Sequence, residues 1–168
     1  MKPILYKKNN YFTDVRGAFY EMFKKKKYTF ESIFTAFSIS KKNVIRGLHC
    51  QERKKQKILL IVLKGRILDV CVDVRKNSKN FGKVYKNYMQ QGDALFIPKD
   101  FLHGFAAYDA ENILLYHFSN YRHKQSEIGV SWNDVTLNID WKIRKPILSN
   151  RDKNNPSFKN FLEKYKAK

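Results

Sequence analysis

The residues best able to do chemistry stand in one hexapeptide, Arg46-Gly47-Leu48-His49-Cys50-Gln51, where a permanent cation, a titratable imidazole and an amide follow an apolar strand start. An imidazole takes up and returns protons near neutral pH, so the stretch suits acid–base work beside an anionic group. The other histidines, His103, His117 and His123, are scattered. No His-x-His pair occurs, so three imidazoles converging on one ion are not expected, and neither a metal nor any other cofactor is assigned. A phosphate-cradling glycine loop, a Gly-x-Ser-x-Gly elbow and a dinucleotide fingerprint are all missing, which argues against hydride transfer and serine hydrolysis. Cys50 beside His49 suggests a thiol–imidazole pair, but neighbours on a strand point to opposite faces, so a cavity-facing His49 turns Cys50 away. Asp69 and Asp73 share one strand face and could bind a metal or substrate, or pair with Arg66 and Arg75.

These residues need a scaffold of strands. Residues 11–17 carry a turn signal, followed by an extended run over 18–23 in which Glu21 shares a face with Phe19 and Phe23. Residues 34–40 alternate as a half-buried strand, 44–51 hold the hexapeptide, 57–63 read as a fully buried strand and 67–74 as another. Further strands are expected at 83–89 and 94–97, and a hairpin is expected from 105–108 and 113–119 around a turn at 109–112. His103 stands ahead of that hairpin, just before Gly104, a residue that permits unusual backbone angles. Strands at this spacing, without helices between them, point to an all-β jelly roll. Asn155-Pro156 reads as a helix start, and Phe158, Phe161, Leu162 and Tyr165 fall at helical spacing, so a short C-terminal helix closes the chain.

The chain has 168 residues, which suits a single domain over 1–168. Its formal charge of +19 raises nucleic acid, anionic membranes and phosphorylated substrates as partners. The lysines are dispersed, whereas a nucleic-acid footprint concentrates on one face, so the charge reads as a diffuse field that aids capture of a diphosphate. No apolar run is long enough to span a membrane and no leader pattern is present, so a cytoplasmic location is expected. Two cysteines in such a chain do not make a disulfide framework.

The hexapeptide resembles the Arg-Gly-Leu-His-aromatic-Gln signature of the dTDP-4-dehydrorhamnose 3,5-epimerase family, nucleotide-sugar epimerases on a cupin-type β-barrel. The likeness continues in order: Arg16, Gly17 and Glu21; Lys57; the run from Asp69 to Arg75; His103-Gly104-Phe105; Tyr116; Glu127; Trp132-Asn133-Asp134; Ile139 and Trp141; and Leu148, Ser149 and Asp152. The resemblance implies a cofactor-free epimerase acting on a nucleotide-linked 4-keto-6-deoxy sugar, with His49 as base, Tyr116 as acid, Asp152 holding the imidazole and Lys57 beside the ketone oxygen. Tyr121 is the fallback acid. Arg16 and Arg46 suit the diphosphate through forked hydrogen bonds. Glu21, Gln51, His103, Glu127 and Arg151 are expected to position substrate. The resemblance also implies a homodimer that exchanges its N-terminal strand.

The chain departs from the family in three places. Phe34-Thr35-Ala36 replaces a polar triplet, Arg122 stands where a second aromatic stacks on thymine, and Arg151 replaces a lysine. An arginine stacks on any base and donates to a guanine edge, so GDP joins dTDP as the expected nucleotide, with a heptose for a surface polysaccharide as one sugar. Two other functions compete: a 3,4-ketoisomerase on the same barrel, and a non-catalytic basic binding module.

Overall fold

A computed structural model describes residues 1–7, 11–28 and 31–166. Ten strands build two five-stranded sheets that face each other. The first has the order β1 (Ile4–Tyr6), β9 (Ala94–Ile97), β6 (Ile58–Lys64), β11 (Glu111–Phe118), β4 (Phe34–Lys41). The second runs β12 (Glu127–Gly129), β5 (Ile45–Gln51), β10 (Phe101–Ala107), β7 (Arg66–Asp73), β8 (Val84–Gln90). All these pairings are antiparallel, and the chain is an all-β jelly roll of the cupin type. The hairpin β2 (Tyr11–Asp14) with β3 (Gly17–Tyr20) pairs only with itself.

Strands that read as continuous apolar runs are buried on both faces. Leu60, Val62, Ile67 and Cys71 pack with Phe101 and Phe105 between the sheets. Leu59 and Ile61 point outward under Phe96 and Tyr28. Leu48, Leu68, Val70 and Val72 form the outer face of the second sheet and are covered by Trp141, Phe158 and Phe161. Truncating one of these rings to alanine costs about 3–5 kcal/mol.

That cover is irregular chain, and side chains tie it down. Asp134 accepts from Thr136 N and Leu137 N through one oxygen and from Phe158 N through the other. Trp141 donates its indole N–H to Trp132 O, and Tyr108 donates its hydroxyl to Trp141 O. A single parallel bridge, Val44 with Ile147, then delivers the chain to a short helix α1 (Asn150–Lys153) beside β5.

Three expectations need correction. Residues 105–108 and 113–119 do not form a hairpin: β10 lies in the second sheet between β5 and β7, and β11 lies in the first between β4 and β6. The turn therefore crosses between sheets, and β10 begins at Phe101, which puts His103 on a strand. The C-terminal helix α2 starts at Phe158, with Ser157 Oγ accepting from Asn160 N, so Ser157 caps it and Asn155 does not. Finally, α1 was not anticipated, because four residues carry no periodicity.

Candidate active site

Arg46 and His49 are three residues apart, so a regular strand would place them on opposite faces. In β5 the pairing with β10 steps from His103 opposite His49 to Phe105 opposite Arg46, which gives β5 one extra residue there. This bulge brings arginine and imidazole to the same inner face. The two strands meet closely at glycines. A Cβ on Gly47, whose φ is +114°, would sit 2.6 Å from Gly104 Cα and 2.6 Å from His103 O. A Cβ on Gly104 would sit 2.7 Å from Arg46 O. The Arg-Gly-Leu-His and His-Gly-Phe motifs are thus two halves of one contact.

Both histidines face a cavity of about 350 Å³ between the sheets, and each is held by a buried carboxylate. His49 Nε2 lies 2.6 Å from Asp152 Oδ1, at hydrogen-bond distance but off the N–H axis. His103 Nε2 lies 2.6 Å from Asp69 Oδ2. Asp152 sits in the first turn of α1, where Ser149 Oγ accepts from Asp152 N at 3.1 Å and donates to Asp152 Oδ2 at 2.9 Å. Burial alone would raise the Asp152 pKa, but the contacts with His49, Ser149 and Gly47 N–H outweigh it and hold the carboxyl below its usual range.

Tyr116 enters the cavity from β11, on the opposite wall. Its hydroxyl shares a 3.2 Å hydrogen bond with Ser38 Oγ on β4. Burial pushes the phenol up to about 12, against the pull of Ser38 and of the Arg46 charge. Tyr116 is therefore neutral at neutral pH, on the wall opposite His49. Ser40, two residues along the same face of β4, accepts from Arg46 Nε at 3.0 Å, and Ile39 O accepts from a terminal Arg46 nitrogen at 3.2 Å.

At the rim, Arg122 reaches Glu127 in a fork at 3.1 and 2.8 Å, and Arg151 joins the same carboxylate from the far side. Burial raises the Glu127 pKa, but the two guanidiniums outweigh that and hold it low. Tyr121 is exposed at the mouth and stacks on Phe34, which stacks on Phe118 beside Tyr116.

The cavity gathers Arg46, His49, Gln51, His103, Tyr116, Arg122 and Glu127. Asp152 stands against His49 without lining the cavity, and four other expected site residues lie elsewhere. Lys57 is the first: Gln56 and Ile58 line the cavity, whereas Lys57, just before β6, is not among its lining residues. Arg16, at the hairpin tip, forks onto Asp14 and is largely exposed. Glu21 contacts Lys24 at 2.5 Å, away from the cavity. Arg151 lines a smaller cavity of about 280 Å³ behind Glu127. Gln51 has both ends of its amide engaged, donating to Lys54 O and accepting from His123 N, so it braces loops.

The sequence reading missed Ser38 and Ser40, whose positions on the inner face followed from the alternation of β4, and the Asp69–His103 pair. Asp73 does pair with Arg75, whereas Arg66 pairs with Asp109. Both cysteines are free, and burial pushes the Cys50 thiol up to about 12, far from a thiolate. Among the described residues no three His, Cys, Asp or Glu side chains converge as a metal site requires, and no helix is long and apolar enough to cross a membrane.

A jelly roll with a carboxylate-held imidazole on one wall and a buried phenol on the other defines the class of sugar-nucleotide epimerases of the cupin superfamily. Comparison with known proteins narrows it. The sequence profile of dTDP-4-dehydrorhamnose 3,5-epimerase matches residues 1–160, and the chain belongs to that family and is an isomerase. It is 37% identical over 156 residues to the dTDP-4-dehydrorhamnose 3,5-epimerase of Shigella flexneri, covering 88% of this chain and 86% of the relative. Among solved structures, the Legionella pneumophila epimerase in complex with dTDP-4-keto-L-rhamnose has a TM-score of 0.88 at 32% identity, covering 94% of this chain and 89% of the other. The Bacillus anthracis enzyme with TDP and pyrophosphate bound has a TM-score of 0.87 at 34% identity, covering 93% and 94%.

Proposed function

We propose that this chain inverts C3, C5 or both of a nucleotide-diphosphate-linked 4-keto-6-deoxy sugar. The observation that carries the reading is the placement of His49 and Tyr116 on opposite walls of one cavity. A ketone at C4 acidifies the hydrogens on both neighbouring carbons, and inversion needs a base on one ring face and an acid on the other. His49, with Asp152 on Nε2, takes the carbon-bound proton on its other nitrogen, and Tyr116 returns one from the opposite side. Asp152 fixes the tautomer and stabilises the imidazolium that forms.

Family membership makes dTDP the first nucleotide to test. GDP stays beside it on one observation: Arg122 lines the cavity, and guanidinium donors match the acceptors of a guanine edge. A GDP-linked heptose for a surface polysaccharide is the sugar that would accompany it. A thermal-shift panel of dTDP, GDP, UDP and CDP separates these, since a ligand of the native state raises the melting temperature.

The second subunit enters through the hairpin. Tyr11, Phe12, Val15 and Phe19 are exposed on it, and Phe37 and Ile39 are exposed on the outer face of edge strand β4. A homodimer exchanging the N-terminal strands would cover these faces and carry Arg16 and Glu21 toward the neighbouring cavity, where the guanidinium suits the diphosphate. The site acts in the cytoplasm on this reading, within one domain spanning the chain.

The test is exchange in deuterated water. The parent chain is expected to wash deuterium into C3, C5 or both of the ketosugar, and His49→Asn is expected to abolish it while keeping the parent melting temperature. Exchange that persists in that variant removes His49 as base. A product with its carbonyl moved to C3 would make the protein a 3,4-ketoisomerase instead.

A further inference from the structure

Removing a proton beside the C4 ketone leaves an enolate, and its oxygen needs a positive partner if the barrier is to fall. Lys57, the expected partner, is not among the residues that line the cavity, and Ile58 beside it is. The cavity holds four other groups that are or become cationic: His49, His103, Arg122 and Arg46. His49 faces Asp152, His103 faces Asp69 and Arg122 faces Glu127, so each of these charges is matched by a carboxylate. Among the described residues, Arg46 has no carboxylate partner. We infer that Arg46 is the catalytic residue that stabilises the enolate oxygen, in place of a lysine and in place of a role on the diphosphate.

The position fits the chemistry. The β5 bulge sets Arg46 on the same inner face as the base, and Ser40 fixes its Nε on the same face of β4 from which Ser38 holds the acid. The C4 oxygen lies between C3 and C5, so its partner must stand between base and acid, at the ring edge. Ser40 and Ile39 O occupy Nε and one terminal nitrogen, which leaves the rest of the guanidinium fork for the cavity. As His49 takes the hydrogen, the C–H electron pair moves to the C4 oxygen opposite Arg46. When Tyr116 delivers its proton, the pair returns to carbon and the carbonyl re-forms; water then returns a proton to the phenolate and takes the one held by His49. Arg46 acts throughout as a fixed positive charge and transfers no proton.

The inference rests on the epimerase reading, and the experiment separates the two. Deuterium wash-in at saturating ketosugar, with titration of GDP and dTDP, is measured for the parent chain, Arg46→Met, Arg46→Lys and the double variant Arg46→Met/Ile58→Lys. Arg46→Met should lose about 10²- to 10³-fold in turnover, the cost of removing one oxyanion donor. Nucleotide affinity should stay within about threefold, since uniform binding is not what was removed. A replacement ammonium, at position 46 or from Ile58→Lys, should return at least about tenfold of the loss. The inference is overturned if Arg46→Met keeps turnover and loses affinity for the nucleotide diphosphate, or if neither ammonium restores turnover. A parent chain without exchange would instead sink the epimerase reading itself.

Discussion

Asp152→Asn tests the site most directly, because it removes one charge from a buried pair and little else. The Asp152 side chain is 5% exposed and His49 28%, so the pair is shielded from solvent. Breaking such a pair from one side costs about 3–5 kcal/mol. Here the cost falls on the imidazolium that forms as the carbon proton is removed, which converts to a fall of about 10²- to 10⁴-fold in turnover. A second effect has the same sign. The asparagine oxygen can still accept from Ser149 Oγ, which turns the amide NH2 toward His49 Nε2. That nitrogen must then accept, and the proton moves to the nitrogen meant for substrate. The Ser149 cap and the α1 turn survive, so the melting temperature should fall by no more than about 2–4 °C, equivalent to one lost hydrogen bond. Deuterium incorporation into the ketosugar, followed by NMR at saturating substrate, gives the rate, and calorimetry gives the melt. Turnover within about threefold of the parent with an unchanged melt would refute the reasoning, because an error that small is below the energy of any buried ion pair.

Gly47→Ala should destabilise by about 2–6 kcal/mol, adding the strain of a left-handed alanine to the overlap of its Cβ with Gly104 and His103 O; a denaturant midpoint within error of the parent would count against the close contact of β5 and β10. Lys57→Met should leave exchange within about twofold of the parent, as expected of a residue outside the cavity, and a hundredfold loss would return Lys57 to the site. Glu127 titrates below its ordinary 4.5, so its pairing adds stability that is complete above that value and disappears as pH falls through the lower folded value. Glu127→Gln should therefore lower stability at neutral pH and flatten its decline on acidification, read from urea melts across the acid range; parallel curves for the two proteins would contradict the arginine clamp.

The scaffold was largely legible, because strand alternation is a local signal. Ile67 to Val74 sorted by period two into the residues that pack under Phe158 and Trp141 and those on the face between the sheets, and the apolar run of β6 signalled burial on both sides. What failed was long-range. The turn after Ala107 looks like a hairpin in sequence, and only the partners available to each strand, β5 and β7 for β10 but β4 and β6 for β11, decide that the chain crosses between sheets. The four residues of α1 have no periodicity to read, and its stability comes from Ser149 and from packing beside β5.

The site follows the same division, and two of its positions turn on a shift of one residue. Strict alternation from His49 would have turned Arg46 out of the cavity, yet the bulge at Gly47 turns it in. A lysine that matches a motif by type stands at position 57, one residue before Ile58, which takes the place in the cavity lining. In a sheet the side-chain period is two, so one inserted or displaced residue exchanges the two faces completely. Residue type therefore singled out His49, Tyr116 and Asp152, which the structure brings to one site, but not the Asp69 partner of His103. Which cation meets the reacting oxygen depends on register, and register is set here by two glycines that allow β5 and β10 to touch. The change from lysine to arginine also alters the chemistry: an ammonium is a mobile point charge, whereas a guanidinium pinned by Ser40 is a fixed fork whose direction is set before substrate arrives.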